Sequence, residues 1–333
     1  MQVDVPTRPA VSAETRQEFA ALTKACGVFK LDRKYVALTG EDRVRWLNGM
    51  VTNNIRDLAA NTGVYAFLLN PQGKIQGDLY AFNRGERIVV ETDSSQLETI
   101  LGIFDRYIIM DDVEIEHLPC DVVGLAGPAC TEVLQRAGFP DADRMQPLQV
   151  SDSQFSGGKL RLVRGDNPSV AAYEISGIES APQIWDSMLQ AGARKIGSEA
   201  LELFRIASGI PKFSVDIRQK DLPQETGQER ALNFNKGCYL GQEIVERIRS
   251  RGAVHRMFTG FEIEGAKPSP GFRIQQEGKD IAELTSVATL PTHEGERVIA
   301  LGYGRKELTT PGKAYVQDET KVRVARLPFA GVF

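Results

Sequence analysis

Apolar residues recur along the chain with two periods, one helical and one strand-like, and their succession predicts an α+β protein. Residues 14–25 place Phe19 and Leu22 on one helical face behind Ser12, a suitable N-cap, and residues 28–31 read as a strand. The run Tyr35-Val36-Ala37-Leu38-Thr39-Gly40 predicts a short strand feeding a helix with Val44, Leu47 and Val51 at helical spacing. An antiparallel meander follows. Residues 64–69 meet the turn Asn70-Pro71-Gln72-Gly73, residues 74–82 alternate apolar and polar, and Asn83-Arg84-Gly85-Glu86 turns the chain into residues 87–91. Ser94 or Ser95 suits the cap of a helix burying Leu97, Leu101 and Phe104, and residues 113–117 form a closing strand.

Val123-Gly124-Leu125-Ala126-Gly127 echoes Val36 to Gly40 and again leads into a helix, with Leu134 in the place of Leu47. Strands at residues 160–163 and 173–175 and a helix at 181–190 would complete a second module of the same plan. A pattern that fixes three positions arises equally well by chance, so repetition and coincidence both stand. Residues 198–208 predict a helix stopped by Gly209 and Pro211. Beyond Gly252 the period becomes that of strands, at residues 257–263, 272–274, 281–289, 298–303, 314–316 and 322–327, punctuated by Pro and Gly as in a small barrel. The expected division is residues 1–118, 119–252 and 253–333.

Composition sharpens this picture. With 333 residues, 42% of them hydrophobic and 25% charged, the chain is globular and too long for one core of usual size. A net charge of -4 and a pI near 5.6 remove the broad attraction to phosphate backbones, so no stable nucleic-acid partner is expected. No run of about 18 apolar residues occurs, and the first ten residues contain two prolines and an aspartate where a secretory segment needs an apolar core, so a cytoplasmic protein is expected. Cys26, Cys120, Cys130 and Cys238 form no C-x-x-C pair, and His117, His255 and His293 have no ligand spacing, so free thiols and no metal are expected. Neither a G-x-G-x-x-G fingerprint nor a G-x-x-x-x-G-K-[ST] loop is present.

One segment carries candidate chemistry: Lys236-Gly237-Cys238-Tyr239-Leu240-Gly241-Gln242-Glu243. A cysteine between glycines, beside a lysine and just ahead of a helical stretch, sits where a helix start and an ammonium favour thiolate and where a substrate can approach closely. The competing reading is inert packing, the usual role of a free cysteine and the one assigned to Cys26, Cys120 and Cys130. Arg247, Arg249, Arg251, His255 and Arg256 make the surroundings basic and suited to an anion. The alternative there is a solvated face in which Glu243 and Glu246 pair with the arginines, worth about 0–1 kcal/mol a pair.

The eight residues from Lys236 to Glu243, read as K-G-C-Y-x-G-Q-E, resemble the signature of the YgfZ family of folate-binding proteins, relatives of the glycine-cleavage T-protein. The resemblance extends to Leu203 through Pro211, Leu222-Pro223-Gln224-Glu225, residues 38–78, Arg247, Arg251-Gly252, Arg256 and the closing Leu327-Pro328-Phe329. It implies a T-protein-like arrangement of three domains, two ferredoxin-like α+β modules around a central channel and a C-terminal antiparallel β-barrel. It further implies that the channel holds tetrahydrofolate or a one-carbon derivative. Glu174, Arg205, Glu225, Tyr239, Arg247 and Arg251 are the candidate folate residues. Cys238, at the channel rim and assisted by Lys236, Gln242 and Glu243, would support iron–sulfur enzymes or their assembly factors, including enzymes that modify tRNA. T-proteins carry an aspartate after a V-N-A-type strand, whereas Val90-Glu91-Thr92-Asp93-Ser94-Ser95-Gln96 places Gln96 near that position. That departure makes lipoyl-dependent aminomethyl transfer the second reading.

Overall fold

Ser12 caps α1 (Ala13–Lys24), its hydroxyl accepting the Thr15 N–H at 3.0 Å, and the helix turns into β1 (Gly27–Leu31). The computed structural model describes residues 11–155, 158–177, 181–252, 254–293, 295–317 and 319–333, so the expectation for residues 1–10 lies outside the described residues. The first sheet is built from β2 (Arg33–Thr39), α2 (Arg43–Met50), β3 (Gly63–Leu69), β4 (Ile75–Asn83), β5 (Ile88–Asp93), α3 (Leu97–Tyr107) and β6 (Glu114–Leu118). Its strand order is β3-β4-β5-β2-β6, all antiparallel, and α2 and α3 cover one face through Trp46, Leu47, Ile100 and Phe104.

The second module runs β7 (Asp121–Ala126), α4 (Cys130–Arg136), β8 (Val150–Phe155), β9 (Gly158–Arg164), β10 (Ala172–Gly177), α5 (Ala181–Gln190) and β11 (Arg194–Lys195). Its sheet has the order β11-β1-β7-β10-β9-β8. Sequential division at residue 118 therefore does not separate the modules, because β1 joins the second sheet, antiparallel to β7 and parallel to β11. The two sheets otherwise match, with β1 standing where β6 stands in the first. Glycine marks the correspondence: a Cβ on Gly40, after β2, would lie 2.1 Å from the Asp112 carbonyl that precedes β6, and one on Gly127, after β7, 2.3 Å from the Ala25 carbonyl that precedes β1. Both glycines also have positive φ, at 92° and 134°, so only glycine fits without strain.

Helix α6 (Ser198–Ala207) packs on α1 and on the third sheet, and the irregular segment 208–241 then crosses all three units before α7 (Gln242–Arg251). The third sheet contains β12 (Arg256–Gly265), β13 (Arg273–Gln276), β14 (Lys279–Thr292), β15 (Gly295–Arg305), β16 (Ala314–Gln317) and β17 (Thr320–Ala325). Its order is β13-β14-β15-β12-β17-β16, and the Gln275 N–H donates to Gln317 Oε1 at 2.8 Å across the remaining gap, so the sheet curls into a nearly closed barrel around Phe261, Ile274, Leu284 and Val322. Arg205 and Glu225 anchor this barrel. Arg205 Nη1 donates to Asp216 at 2.7 Å, and Asp216, fully buried, also accepts Ser286 Oγ of β14 at 2.8 Å. Glu225 accepts from Arg256 Nη2 of β12 at 2.9 Å.

Candidate functional site

The two α+β sheets face each other through Tyr35, Phe82 and Val89 on one side and Val122, Val150 and Val163 on the other. Beside this contact lies a cavity of about 560 Å³, lined by β1, β2, β4, β5, β10 and α6. Its position follows from the pleat: residues of alternating strands that cannot meet a second core point into the gap between sheets. Glu91 of β5 is 1% exposed, with Arg33 Nε 3.5 Å from its Oε1, while its Oε2 is buried with no hydrogen-bond donor. Glu174 of β10 keeps part of its surface open to the cavity and accepts from Tyr35 Oη at 3.5 Å. Burial, reinforced by the charge of Glu91, pushes the Glu174 pKa up to about 8. Burial opposes the charge of Arg33, but Glu174 and Glu91 hold it above its ordinary value.

A third carboxylate, Asp78 of β4, accepts Tyr65 Oη at 2.6 Å and Gln96 Nε2 at 2.7 Å, while Gln96 Oε1 accepts the Asp78 N–H at 3.0 Å. Arg230 pairs with Asp166 and lies 4.5 Å over the Tyr65 ring, and Tyr80 Oη donates to Asp166 at 3.1 Å. Asp166, Ile210, Gln228 and Arg230 also line an adjoining cavity of about 360 Å³ that reaches Phe258 and Leu327 of the barrel side. The site thus offers carboxylates, guanidinium groups and aromatic walls in one enclosure, the mixture that fixes a planar, hydrogen-bonding heterocycle.

The K-G-C-Y-x-G-Q-E segment sits on the first sheet rather than with the second module. Lys236 Nζ donates to the backbone carbonyls of Asn48, Val51 and Asn53 at 2.5, 2.7 and 2.7 Å, at the C-terminal end of α2. Burial, with Arg56 adding to it, pushes Lys236 down to about 7. The three carbonyls act the other way: a neutral amine has only two N–H groups, so the third contact needs the ammonium, which a helix C-terminus also favours. The Leu240 N–H donates to Gly49 O at 2.9 Å, and a Cβ on Gly241 would meet the Asn70 carbonyl at 2.5 Å. Gln242 Oε1 accepts the Tyr239 N–H at 3.2 Å, closing the loop on itself. Cys238 is left exposed at its tip. Replacing Lys236 by methionine is expected to lower stability by about 2 kcal/mol in urea unfolding and to speed alkylation of Cys238 at a denaturant level too low to unfold the chain.

Of the sequence-derived site residues, the cavity collects Glu174 and Arg205. Arg205 is engaged with Asp216 and Glu202, and Glu225, bound to Arg256, does not line the cavity. Tyr239 is buried against Tyr65, Phe67 and Val245, and burial pushes it up to about 12. Cys238, Lys236 and Gln242 stand outside the cavity lining, linked to it through Asn53, whose Nδ2 donates to the carbonyls of Tyr65 and Arg230 at 2.8 Å each. Glu243 and Arg247 are exposed on α7, and the Arg251 side chain lies outside the described residues. Sequence reading missed Arg33, Asp78, Glu91 and Arg230. The alternation of residues 74–82 already put Gln76, Asp78 and Tyr80 on one face, and Glu91 follows the apolar run Ile88-Val89-Val90 while still inside the strand.

Among the described residues no helix is long and apolar enough to cross a membrane, and no three His, Cys, Asp or Glu side chains stand close enough to hold a metal ion. A family model described as the GCVT N-terminal domain matches residues 3–236. An aminomethyltransferase of Rubrobacter xylanophilus is 25% identical over 96% of this chain and 87% of its own length. The tRNA-modifying protein YgfZ of Yersinia enterocolitica is 30% identical over 68% of this chain and 67% of its own. In three dimensions the glycine cleavage system aminomethyltransferase T of Bartonella henselae superposes with a TM-score of 0.85 at 19% identity, over 95% of this chain and 89% of that one.

Proposed function

Since this chain belongs to the family defined by the GCVT N-terminal domain, we propose that its central cavity binds tetrahydrofolate or a one-carbon derivative and that Cys238 supports iron–sulfur enzymes, among them those that modify tRNA. The observation that carries the folate reading is the cavity itself. Glu174 can accept the two N–H donors of a pterin's amino-pyrimidinone edge, Tyr65 and Tyr80 wall the ring, and Arg230 offers a charge to an anionic tail. The thiol reading rests on the exposed position of Cys238, held out by a loop whose lysine, tyrosine and glutamine are all spent on bracing it. Lys236 therefore acts on Cys238 by positioning its loop. A single cysteine does not ligate a whole cluster, which takes about four protein ligands, so Cys238 works by transient contact with a client or assembly factor in the cytoplasm.

The test pairs calorimetry with complementation. Wild type and Cys238→Ser are expected to bind 5-formyltetrahydrofolate equally, and only wild type is expected to rescue a strain deficient in iron–sulfur enzyme activity. Rescue by the mutant would return Cys238 to a passive role, and absence of binding in both would remove the folate reading. The similarity to aminomethyltransferases along almost the whole chain favours one other reading, aminomethyl transfer to tetrahydrofolate. Its distinguishing result is methylenetetrahydrofolate formed from an aminomethyl-lipoyl carrier protein, insensitive to Cys238→Ser.

A further inference from the structure

Glu91 and Glu174 line the same cavity from opposite sheets and meet at Tyr35, which stands in register with Glu91 and whose Oη lies 3.5 Å from Glu174 Oε2. Two ionised carboxylates so placed repel, and neither has a hydrogen to give the other. Oε2 of Glu91 is buried with no donor in the structure, the lack that a proton on Glu174 would meet. The remaining charges facing the pair are Arg33 from β2 and Arg161 from β9, whose guanidinium lies 4.0 Å over the Tyr35 ring. Tyr35 and Tyr80, both held above their ordinary pKa chiefly by burial, stay neutral beside it.

We propose that in the empty cavity Glu174 is a neutral acid donating to Oε2 of Glu91, and that a ligand presenting two adjacent N–H donors to Glu174 binds by expelling this proton. Glu91 is then the positioning residue that sets the pH range in which the site accepts such a ligand. The ligand class rests on the folate reading, since the amino-pyrimidinone edge of a pterin is a neutral donor pair, whereas the shared proton stands without it. The ligand requires the ionised form of Glu174, so affinity rises with pH and levels off above about 8. At pH 7 it stands about tenfold below the plateau. In Glu91→Gln the amide offers Glu174 an N–H and removes the like charge, so the carboxylate form persists to lower pH. Affinity at pH 7 then rises about tenfold, and the slope flattens.

The experiment is calorimetric titration of the full chain with 5-formyltetrahydrofolate between about pH 6 and pH 9, in buffers of different ionisation enthalpy, together with carbon NMR titration of glutamate carboxyls in the ligand-free protein. Wild type is expected to release about one proton per ligand at pH 7 and Glu91→Gln almost none, with equal affinities at pH 9. The same pH profile in both proteins, or a ligand-free wild type with no glutamate titrating near 8, overturns the proposal. If the folate binds neither protein at any pH, the folate reading fails, and the NMR titration of wild type alone decides whether the proton is there. That titration also serves if Glu91→Gln does not fold.

Discussion

Asp216→Ala is expected to lower the unfolding free energy by about 3–5 kcal/mol, enough to leave little of the stability of a typical domain. Asp216 is fully buried, and its Oδ2 accepts from Arg205 Nη1 and from the Lys212 N–H at 2.7 and 3.0 Å. Its Oδ1 takes the hydroxyls of Thr285 and Ser286 on the barrel. Removing it leaves the Arg205 charge, which burial opposes, with Glu202 as its one remaining carboxylate partner. The carboxylate also joins α6, the crossing segment and the barrel at one point. Urea unfolding measures the loss, and limited proteolysis within residues 208–241 reports where the structure opens. Adding Arg205→Met to Asp216→Ala should restore part of the stability, because the remaining cost is then lost packing rather than a largely buried guanidinium short of one of its two carboxylates. A double variant no more stable than the single one would show that the hydroxyl contacts, not the ion pair, hold the barrel.

Glu174→Gln should reduce affinity for 5-formyltetrahydrofolate by about 100-fold at pH 9, where the wild-type carboxylate is ionised. A carboxylate accepts two N–H donors, each such charge-assisted bond being worth about 1.5–3 kcal/mol, whereas an amide offers one oxygen and turns a donor of its own against the ligand. The sign of the pH effect follows from the raised pKa. Below about 8 Glu174 is mostly protonated and wild type itself binds less tightly, so the gap between wild type and variant narrows as pH falls. Calorimetry at two pH values measures both points. Undiminished binding by Glu174→Gln would show that ligands orient on another wall of the cavity, with Asp78 the next carboxylate to test.

The elements with strong periodicity were legible in the sequence: α1, the meander of β3 to β5, α6 and the barrel strands all stand within a few residues of their expected places. Two strands were not. β8 carries Val150 as its one buried residue among Ser151, Asp152, Ser153 and Gln154, and β11 is two residues long; both lie at sheet edges, where burial leaves no apolar pattern to read. The echo between residues 36–40 and 123–127 marks a true correspondence of the two sheets, and the carbonyl pressed against Gly40 and Gly127 is the reason glycine recurs. Site residues were legible only where a motif names them. Glu91 gains its meaning from the opposite sheet, across the shared cavity, and Asp78 from Tyr65 and Gln96 beside it, partnerships decided by tertiary contact. The signature segment was conspicuous in sequence, but its docking on α2 and the turn at Asn70 depends on a return of the chain that local pattern does not encode.

The placement of β1 bears on how the protein is made. Gly27 to Leu31 emerge early from the ribosome, yet their partners Val122 to Ala126 and Arg194-Lys195 follow roughly 90 to 170 residues later. At ordinary synthesis rates of about 5–20 residues per second the strand waits several seconds with both edges unpaired, while β2 to β6 already have all their strand partners. The first sheet can therefore form on the ribosome before the α1–β1 segment that precedes it is captured. A nascent chain stalled once residue 118 has left the exit tunnel should carry a folded first sheet and a protease-sensitive α1–β1 segment, and only one stalled after residue 195 has left it should protect both.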